Sequence, residues 1–219
     1  MKKMLKNKAD NYKEKSKKSF NRQAENYDSC YYGKHAKTLY SYVLQKLGQF
    51  SFNSILDVGC GTGNLLSLIS SKYEVQIGGI DLSPDMLNIA RSKLNKDADL
   101  RPGDSENLPF ADSSFEMVIC TDSFHHYPYP ANVLLEIKRV LKPGGNFILA
   151  DPWLPAPFRQ FANIFMPFNK DGDVKIYGEL EIRELLENSG FKAVEWEHIN
   201  KRAFIANAHT ENQKYSNKR

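Results

Sequence analysis

Apolar runs of strand length alternate with amphipathic helical stretches along most of the chain. The periodicity predicts strands at residues 55–58, 75–80, 98–104, 115–121, 146–150, 193–199 and 202–208. Helices are predicted between them, beginning at Asn64 and Pro84 and spanning residues 133–141 and 179–188. Alternating strands and helices fold as a sheet with helices on both faces, which predicts a three-layer α/β sandwich. We expect the last two strands to form a hairpin at the sheet edge.

Three regions flank or interrupt this pattern. Residues 19–50 are predicted to form a helical cap, because apolar residues recur there at spacings of three and four. Residues 152–177 are rich in proline and aromatic residues, which favours a substrate-binding lid. A short helix packed in the core and a dimer surface are the alternatives for this stretch. Residues 209–219 are polar, and we expect a disordered tail.

Positive charge is concentrated at the N-terminus. Residues 1–18 contain eight lysines against Asp10 and Glu14, whereas the whole chain has a net charge of +4. We interpret these residues as a solvated, disordered tail. An arm that binds nucleic acid is the alternative interpretation.

Length and composition exclude several classes of protein. The 219 residues fit one domain, which we place at residues 19–208. No apolar run reaches the roughly 20 residues that span a bilayer, and the N-terminus lacks the apolar segment of a secretory signal. Three widely separated cysteines (Cys30, Cys60 and Cys120) favour a reducing cytoplasm, and their spacing indicates no zinc site. We therefore predict a cytoplasmic protein without a metal.

The most informative stretch is the glycine-rich turn after the first strand, residues 55–63, ILDVGCGTG. Glycine allows positive φ angles and lets a ligand lie against the backbone. The helix that follows offers N–H groups and the positive end of its dipole. These features predict a site for a nucleoside cofactor with a polar or charged tail. The spacing G-x-G-x-G differs from the G-x-G-x-x-G of dinucleotide-binding proteins, which argues against an NAD-dependent oxidoreductase.

A second acid follows the next predicted strand. Asp81 lies 18 positions after Gly63, close to the offset of about 20 at which a carboxylate binds ribose hydroxyls in βαβ units. Ser83 and Pro84 then provide a helix cap and a first helical position. We expect Leu82 and Met86 to flank an adenine, although both could equally be core residues.

The run LDVGCGTG resembles the first motif of the class I S-adenosylmethionine-dependent methyltransferases. Residues 20–28, FNRQAENYD, look like the N-terminal signature of the ubiquinone/menaquinone-biosynthesis methyltransferases, and residues 108–118 and 141–145 also match the family. The resemblance covers most of residues 20–208. It implies a Rossmann-like α/β/α sandwich with a seven-stranded, mostly parallel sheet whose last strand is antiparallel. It also implies S-adenosyl-L-methionine as cofactor and S-adenosyl-L-homocysteine as product.

The resemblance further implies a set of cofactor contacts. The acid and the glycine turn would hold the amino-acid end, Tyr27 would cover the pocket, and Asp104 would accept a hydrogen bond from the adenine amino group. A hydrophobic helix face and a surface turn are the alternatives for the last two. The expected cofactor-binding residues are Tyr27, Asp57, Gly59, Cys60, Gly61, Gly63, Asp81, Leu82, Met86, Asp104, Ser105, Glu106, Thr121 and Ser123.

Two adjacent histidines follow the strand at residues 115–121, where ligands bind in doubly wound sheets. The loop lacks the Asn/Asp-Pro-Pro-Tyr/Phe signature of many enzymes that methylate exocyclic or amide nitrogens. His125 and His126 resemble a pair common in the small-molecule branch, and an imidazole could take a proton from an acceptor. Backbone hydrogen bonding and helix capping are the structural alternative. We expect the substrate pocket to contain Phe124, His125, Trp153, Phe158 and Phe161.

These patterns together predict methyl transfer from S-adenosylmethionine to a small-molecule acceptor by direct in-line displacement. An RNA methyltransferase that uses residues 1–18 as a clamp is one alternative. A non-catalytic relative that binds the cofactor is another. We expect a monomer or homodimer with no nucleic-acid partner and no membrane span.

Overall fold

In a computed structural model of the chain, the predicted strands form one seven-stranded sheet. The structure describes residues 2–212, with the side chains described from Ala9 onward. The strands are β1 (Ser54–Val58), β2 (Gln76–Asp81), β3 (Asp99–Pro102), β4 (Phe115–Thr121), β5 (Leu141–Pro152), β6 (Lys192–Asn200) and β7 (Ala203–His209). Their order across the sheet is β3-β2-β1-β4-β5-β7-β6.

The first five strands pair in parallel, whereas β7 is antiparallel to both β5 and β6. The helices are α1 (Lys2–Gln23), α2 (Tyr31–Leu47), α3 (Asn64–Lys72), α4 (Pro84–Lys93), α5 (Pro130–Val140), α6 (Phe158–Phe165) and α7 (Glu179–Asn188). This arrangement confirms the predicted sheet and its antiparallel last strand.

Alternate residues of the strands bury against helices on opposite faces of the sheet. Ile55 and Met117 pack in one cluster with residues of α2, α3 and α4. Leu56 and Val118 pack in the other cluster with residues of α5 and α7. The two clusters are the cores of the predicted three-layer sandwich.

The N-terminal segment differs from the prediction of a disordered tail. Residues 9–18 belong to α1, and Ala9, Tyr12, Ser16 and Ser19 are buried along it. These residues recur at helical spacings of three and four, but two of them are serines. A search for apolar periodicity therefore misses this buried face.

The predicted cap and lid also differ in detail. Between α1 and α2 the cap contains a 3₁₀ turn, Ala24–Ser29. This turn packs closely on α2 at Gly33, where a Cβ atom would lie 2.0 Å from the backbone oxygen of Tyr27. The predicted lid contains α6 and a 3₁₀ turn, Met166–Phe168. Because none of the residues in these two elements is buried, α6 is not a core-packing helix.

The predicted C-terminal tail, residues 209–219, begins with residues that the structure places in the fold. β7 extends to His209, and the buried Thr210 donates a hydrogen bond to the carbonyl of Lys142 over 2.8 Å. Residues 213–219 of the predicted tail lie outside the described residues.

Candidate active site

Two cavities lie at the carboxyl ends of the parallel strands, next to the point between β1 and β4 where the strand order reverses. The first is the glycine-loop cleft. The predicted residues that line it are Tyr27, Asp57, Gly59, Cys60, Gly61, Asp81, Leu82, Met86, Asp104, Ser105, Thr121 and Ser123. The second, the outer cavity, has a volume of about 370 Å³, and its wall includes Tyr31, Tyr32, His35, His125, Trp153 and Met166.

Two of the carboxyl groups that line the glycine-loop cleft belong to Asp57 and Asp81. Asp57 is buried at the end of β1, and its Oδ1 atom has no hydrogen-bond partner within residues 9–212. Burial, and then the charge of Asp81, raise the pKa of Asp57 from 3.8 to about 8. Burial also raises the pKa of Asp81 to about 6, against the opposing effect of backbone N–H donors. A ligand with a positive charge and hydroxyl donors would stabilise both carboxylates.

The glycine turn leaves space for a ligand, but its first three amides already donate hydrogen bonds within the protein. The amides of Gly59 and Cys60 both donate to the Ile80 carbonyl, over 2.9 and 3.0 Å, and the Gly61 amide donates to Oδ2 of Asp81 over 2.8 Å. These three turn amides are therefore used within the protein. Gly61 has a φ of +51°, and no described atom lies within 4 Å of the place where its Cβ would be. This space allows a ligand to lie against the backbone.

The cleft fits S-adenosylmethionine on these observations. Oγ1 of Thr121, like Oδ1 of Asp57, is buried and has no hydrogen-bond partner in the described part of the chain. Buried polar atoms are normally paired, so these two atoms favour a polar ligand. Asp81 would hold the ribose hydroxyls, and Asp57 would hold the ammonium of the amino-acid end.

The 3₁₀ turn Ala24–Ser29 holds Tyr27 at the edge of the cleft. The neighbouring Asp28 accepts hydrogen bonds from Thr62 and Asn64, over 2.6 and 2.7 Å, and pairs with Lys93 at 2.5 Å. These contacts tie the turn to α3 and α4. The sequence analysis selected Tyr27 but missed Asp28 as its anchor, because the partners of Asp28 are 34 to 65 residues away along the chain.

Helix α1 also contributes to the cleft. Nζ of Lys13 lies 2.7 Å from Oδ2 of Asp104 and 2.8 Å from Oε1 of Glu106. Lys13 and Asp104 line the cleft, whereas Glu106 does not. The position of Glu106 therefore does not support its expected cofactor contact, because its side chain does not line the cleft. The sequence analysis missed Lys13, since it treated this stretch as disordered.

The two cavities share a wall formed by Phe20, Tyr27, Asp122 and His126. Asp122 follows β4 with a φ of +54°, which is uncommon for a residue other than glycine. Its Oδ2 atom lies 3.0 Å from Nδ1 of His35, and this hydrogen bond outweighs burial to raise the pKa of His35. The sequence analysis selected neither Asp122 nor His35 as a site residue.

His125 and His126 have different charges. Nδ1 of His125 lies 3.0 Å from Oδ1 of Asp151. Burial lowers the pKa of His125, but the carboxylates of Asp151, Asp173 and Asp122 outweigh burial and raise it to about 9. Burial, and then the charge of His125, lower the pKa of His126 well below 6.5. At neutral pH His125 is therefore cationic, whereas His126 is neutral and able to accept a proton.

The histidine pair also lies near Asp173. Single ligand atoms of His125, His126 and Asp173 lie within 4.8 Å of one another, close enough to share a cation. A divalent cation would have to displace the positive charge that His125 already carries. The expectation of a site without metal stays a prediction.

Four other expected site residues lie away from both cavities. Gly63 has a φ of +72° at the start of α3, where a Cβ would lie 2.8 Å from that of Ala90, so it permits close packing of α3 on α4. Phe124 is fully buried in the core, and Phe158 and Phe161 are 68% and 66% exposed. The expected pocket residues that do line the outer cavity are His125 and Trp153.

Known proteins resemble the chain in both sequence and structure. Residues 56–149 match the family described as a methyltransferase domain. A demethylmenaquinone methyltransferase of Lactococcus lactis subsp. lactis is 30% identical over 197 residues, which cover 78% of each chain. An O-methyltransferase of Penicillium expansum is 30% identical over 152 residues, which cover 64% of this chain and about half, 52%, of that protein.

The fold is shared with solved structures as well. A putative methyltransferase of Haloferax volcanii, solved in complex with the Trm112 methyltransferase activator, superposes with a TM-score of 0.77 at 20% identity. The superposition covers 90% of this chain and 98% of that one. The motifs, the sheet and these relatives together show that the chain belongs to the class I S-adenosylmethionine-dependent methyltransferases. Among them it resembles the menaquinone-biosynthesis enzymes.

Proposed function

We propose that the protein transfers the methyl group of S-adenosylmethionine to a small molecule bound in the outer cavity. The shared wall of the two cavities is the observation that carries this proposal. A group held in the glycine-loop cleft and an acceptor held in the outer cavity would meet at this wall. The outer cavity, at about 370 Å³, has a volume typical of sites for small ligands.

The lining of the outer cavity favours an acceptor with an aromatic or apolar body. Rings of Phe20, Tyr27, Tyr31 and Trp153 form part of its wall. Among the polar residues of the outer cavity, Asp122 and His126 also line the glycine-loop cleft. Such an acceptor would place an ionisable group, for example a phenolic hydroxyl, toward the histidines.

Alignment would supply most of the rate enhancement. The sulfonium of the bound cofactor provides an activated methyl group, so the protein's residues chiefly have to hold the two reactants in line. Good alignment is worth about 7–11 kcal/mol. Tyr27 and Phe20 would exclude water from the shared wall, while Asp57 and Asp81 would fix the cofactor on its side.

His126 is the better candidate for a proton acceptor. It lies in the shared wall, it is neutral, and its Nδ1 atom is buried. Oδ1 of Asp173, 3.1 Å from that atom, would stabilise the imidazolium formed by proton uptake. His125, which Asp151 keeps cationic, would instead stabilise negative charge on the acceptor.

The proposal is tested by incubating the protein with methyl-labelled S-adenosylmethionine and separate small-molecule and RNA fractions of a cell extract. We expect label in an organic-soluble small molecule and formation of S-adenosylhomocysteine. Asp122→Asn should lower this transfer strongly, whereas the control Asp97→Asn, which changes an exposed acid, should not. Label in RNA, or cofactor binding without transfer to either fraction, would refute the proposal.

A further inference from the structure

Helix α6 and the 3₁₀ turn after it expose a continuous series of large apolar side chains. We call these residues the apolar ridge: Phe158, Phe161, Ile164, Phe165 and Phe168, which are 68%, 66%, 64%, 55% and 81% exposed. The rings of Phe161 and Phe165 contact each other with centroids 5.0 Å apart. Single exposed apolar residues are ordinary, but a contiguous group of this kind marks an interaction surface.

An ordinary surface helix buries its apolar face, whereas α6 exposes that face to solvent. Two of its polar residues, Arg159 and Asn163, face the protein instead, whereas Gln160 is exposed. Asn163 exchanges two hydrogen bonds with the backbone of Ile176, over 2.8 and 3.0 Å, and Arg159 donates to the carbonyl of Leu154 over 3.2 Å. These contacts hold the helix in place with its apolar residues toward solvent.

Lysines lie beside the apolar ridge. Helix α1 packs beside it, since Nζ of Lys15 donates to the carbonyl of Pro167 over 3.4 Å and the Ser19 hydroxyl bonds to Asp171. Among the α1 lysines whose side chains the structure describes, Lys13 and Lys17 line the glycine-loop cleft, whereas Lys15 and Lys18 do not. Lys18 and Lys170 are both exposed. Apolar side chains next to a cluster of lysines are typical of a surface that binds anionic membranes.

The apolar ridge is continuous with the outer cavity. Leu154, four residues before α6, and Met166, directly after it, both line that cavity. An apolar molecule dissolved in a bilayer would therefore reach the cavity without crossing water. No helix among the described residues is long and apolar enough to span a membrane, so the contact would be peripheral.

We propose that the apolar ridge, together with Lys15, Lys18 and Lys170, binds the surface of an anionic lipid bilayer, with the outer cavity opening toward the lipid. Phenylalanine side chains would enter the interface, and the lysines would pair with lipid phosphates. The inference does not depend on methyl transfer, because a protein with no activity would still bind vesicles through this surface.

The test is co-sedimentation with vesicles of phosphatidylcholine alone and of phosphatidylcholine with one quarter phosphatidylglycerol. We expect binding to the anionic vesicles, and weaker binding as salt is raised from 0.1 to 0.5 M. Phe161→Ser with Phe165→Ser should weaken the partition at least about ten-fold. Lys18→Gln with Lys170→Gln should weaken it by about ten-fold on anionic vesicles alone.

Leu135→Ser is the matched control, since Leu135 is 53% exposed on α5 and lies outside the apolar ridge. Unchanged affinity for S-adenosylhomocysteine in each variant would show that the fold is retained. Absence of binding to anionic vesicles would overturn the proposal. A loss of vesicle binding in Leu135→Ser as large as that in the paired phenylalanine variant would do the same. So would a dimer in light scattering that the paired phenylalanine variant converts to a monomer, because a second copy would then cover the ridge.

Discussion

Replacing Asp57 by asparagine should stabilise the free protein at neutral pH while weakening its affinity for the cofactor. The carboxyl group of Asp57 is buried, and its Oδ1 atom has no hydrogen-bond partner in residues 9–212. Asparagine has nearly the same shape but no charge. The substitution therefore separates the cost of burying this group from the contribution that it makes to binding.

The size of the stability change follows from the pKa of Asp57, which is about 8 in the folded protein, against 3.8 for an ordinary aspartate such as that of the unfolded chain. Between these values the folded protein holds a proton that the unfolded chain has lost, so the free energy of unfolding falls as pH rises. The slope is about 1.4 kcal/mol per pH unit. The amide of the asparagine variant does not titrate. Relative to the wild type, the variant should therefore gain up to about 3 kcal/mol between pH 5.5 and 7.5.

Cofactor binding should change in the opposite direction. A hydrogen bond between the Asp57 carboxylate and the ammonium of the amino-acid end is worth about 1.5–3 kcal/mol. Its loss would weaken binding of S-adenosylhomocysteine by about ten- to a hundred-fold. Because the carboxylate must be ionised to bind, wild-type affinity should also increase from pH 6 to 8, whereas affinity of the variant should not.

The assays are urea unfolding at pH 5.5 and 7.5 and calorimetric titration with S-adenosylhomocysteine. Asp97→Asn, which removes an exposed carboxylate, controls for loss of charge elsewhere. If the stability difference between Asp57→Asn and wild type is the same at both pH values, Asp57 does not carry the raised pKa. If affinity is unchanged as well, its place in the cofactor site is wrong.

Three further predictions concern the glycine turn and the histidines. Gly61→Ala should lower the free energy of unfolding by only about 1 kcal/mol but remove most of the cofactor affinity. Gly63→Ala should lower the free energy of unfolding by about 2–3 kcal/mol, because its Cβ would press on α4, and should leave cofactor binding intact at low temperature. Unfolding and calorimetry measure the two effects, and the reverse order of the two variants would contradict the geometry. His126→Ala should lower kcat by about 10²–10⁴ with little change in cofactor affinity, and an unaltered kcat would exclude it as the proton acceptor. Treatment with EDTA should leave activity unchanged, because His125 is cationic; a loss that zinc or magnesium restores would show a metal-dependent site.

The sequence by itself determined the sheet and placed two acids at one edge of it. The apolar runs placed every strand end to within two residues except the start of β5, which lies five residues before the predicted one. The central strands are buried on both faces, so each appears in the sequence as a local apolar run. β4 and α7 have the predicted bounds, Phe115–Thr121 and Glu179–Asn188. Asp57 and Asp81 lie at the carboxyl ends of adjacent strands, so the pairing of β1 with β2 brings them into one cleft.

The tertiary structure alone decided the partners that come from distant parts of the chain. Lys13 pairs with Asp104 across 91 positions, and His35 contacts Asp122 across 87, and neither contact leaves a periodic signal. It also decided which apolar residues are buried: Phe124 lies in the core, whereas Phe161 faces solvent. Apolar character is local to a side chain, but burial depends on what the rest of the chain packs against it.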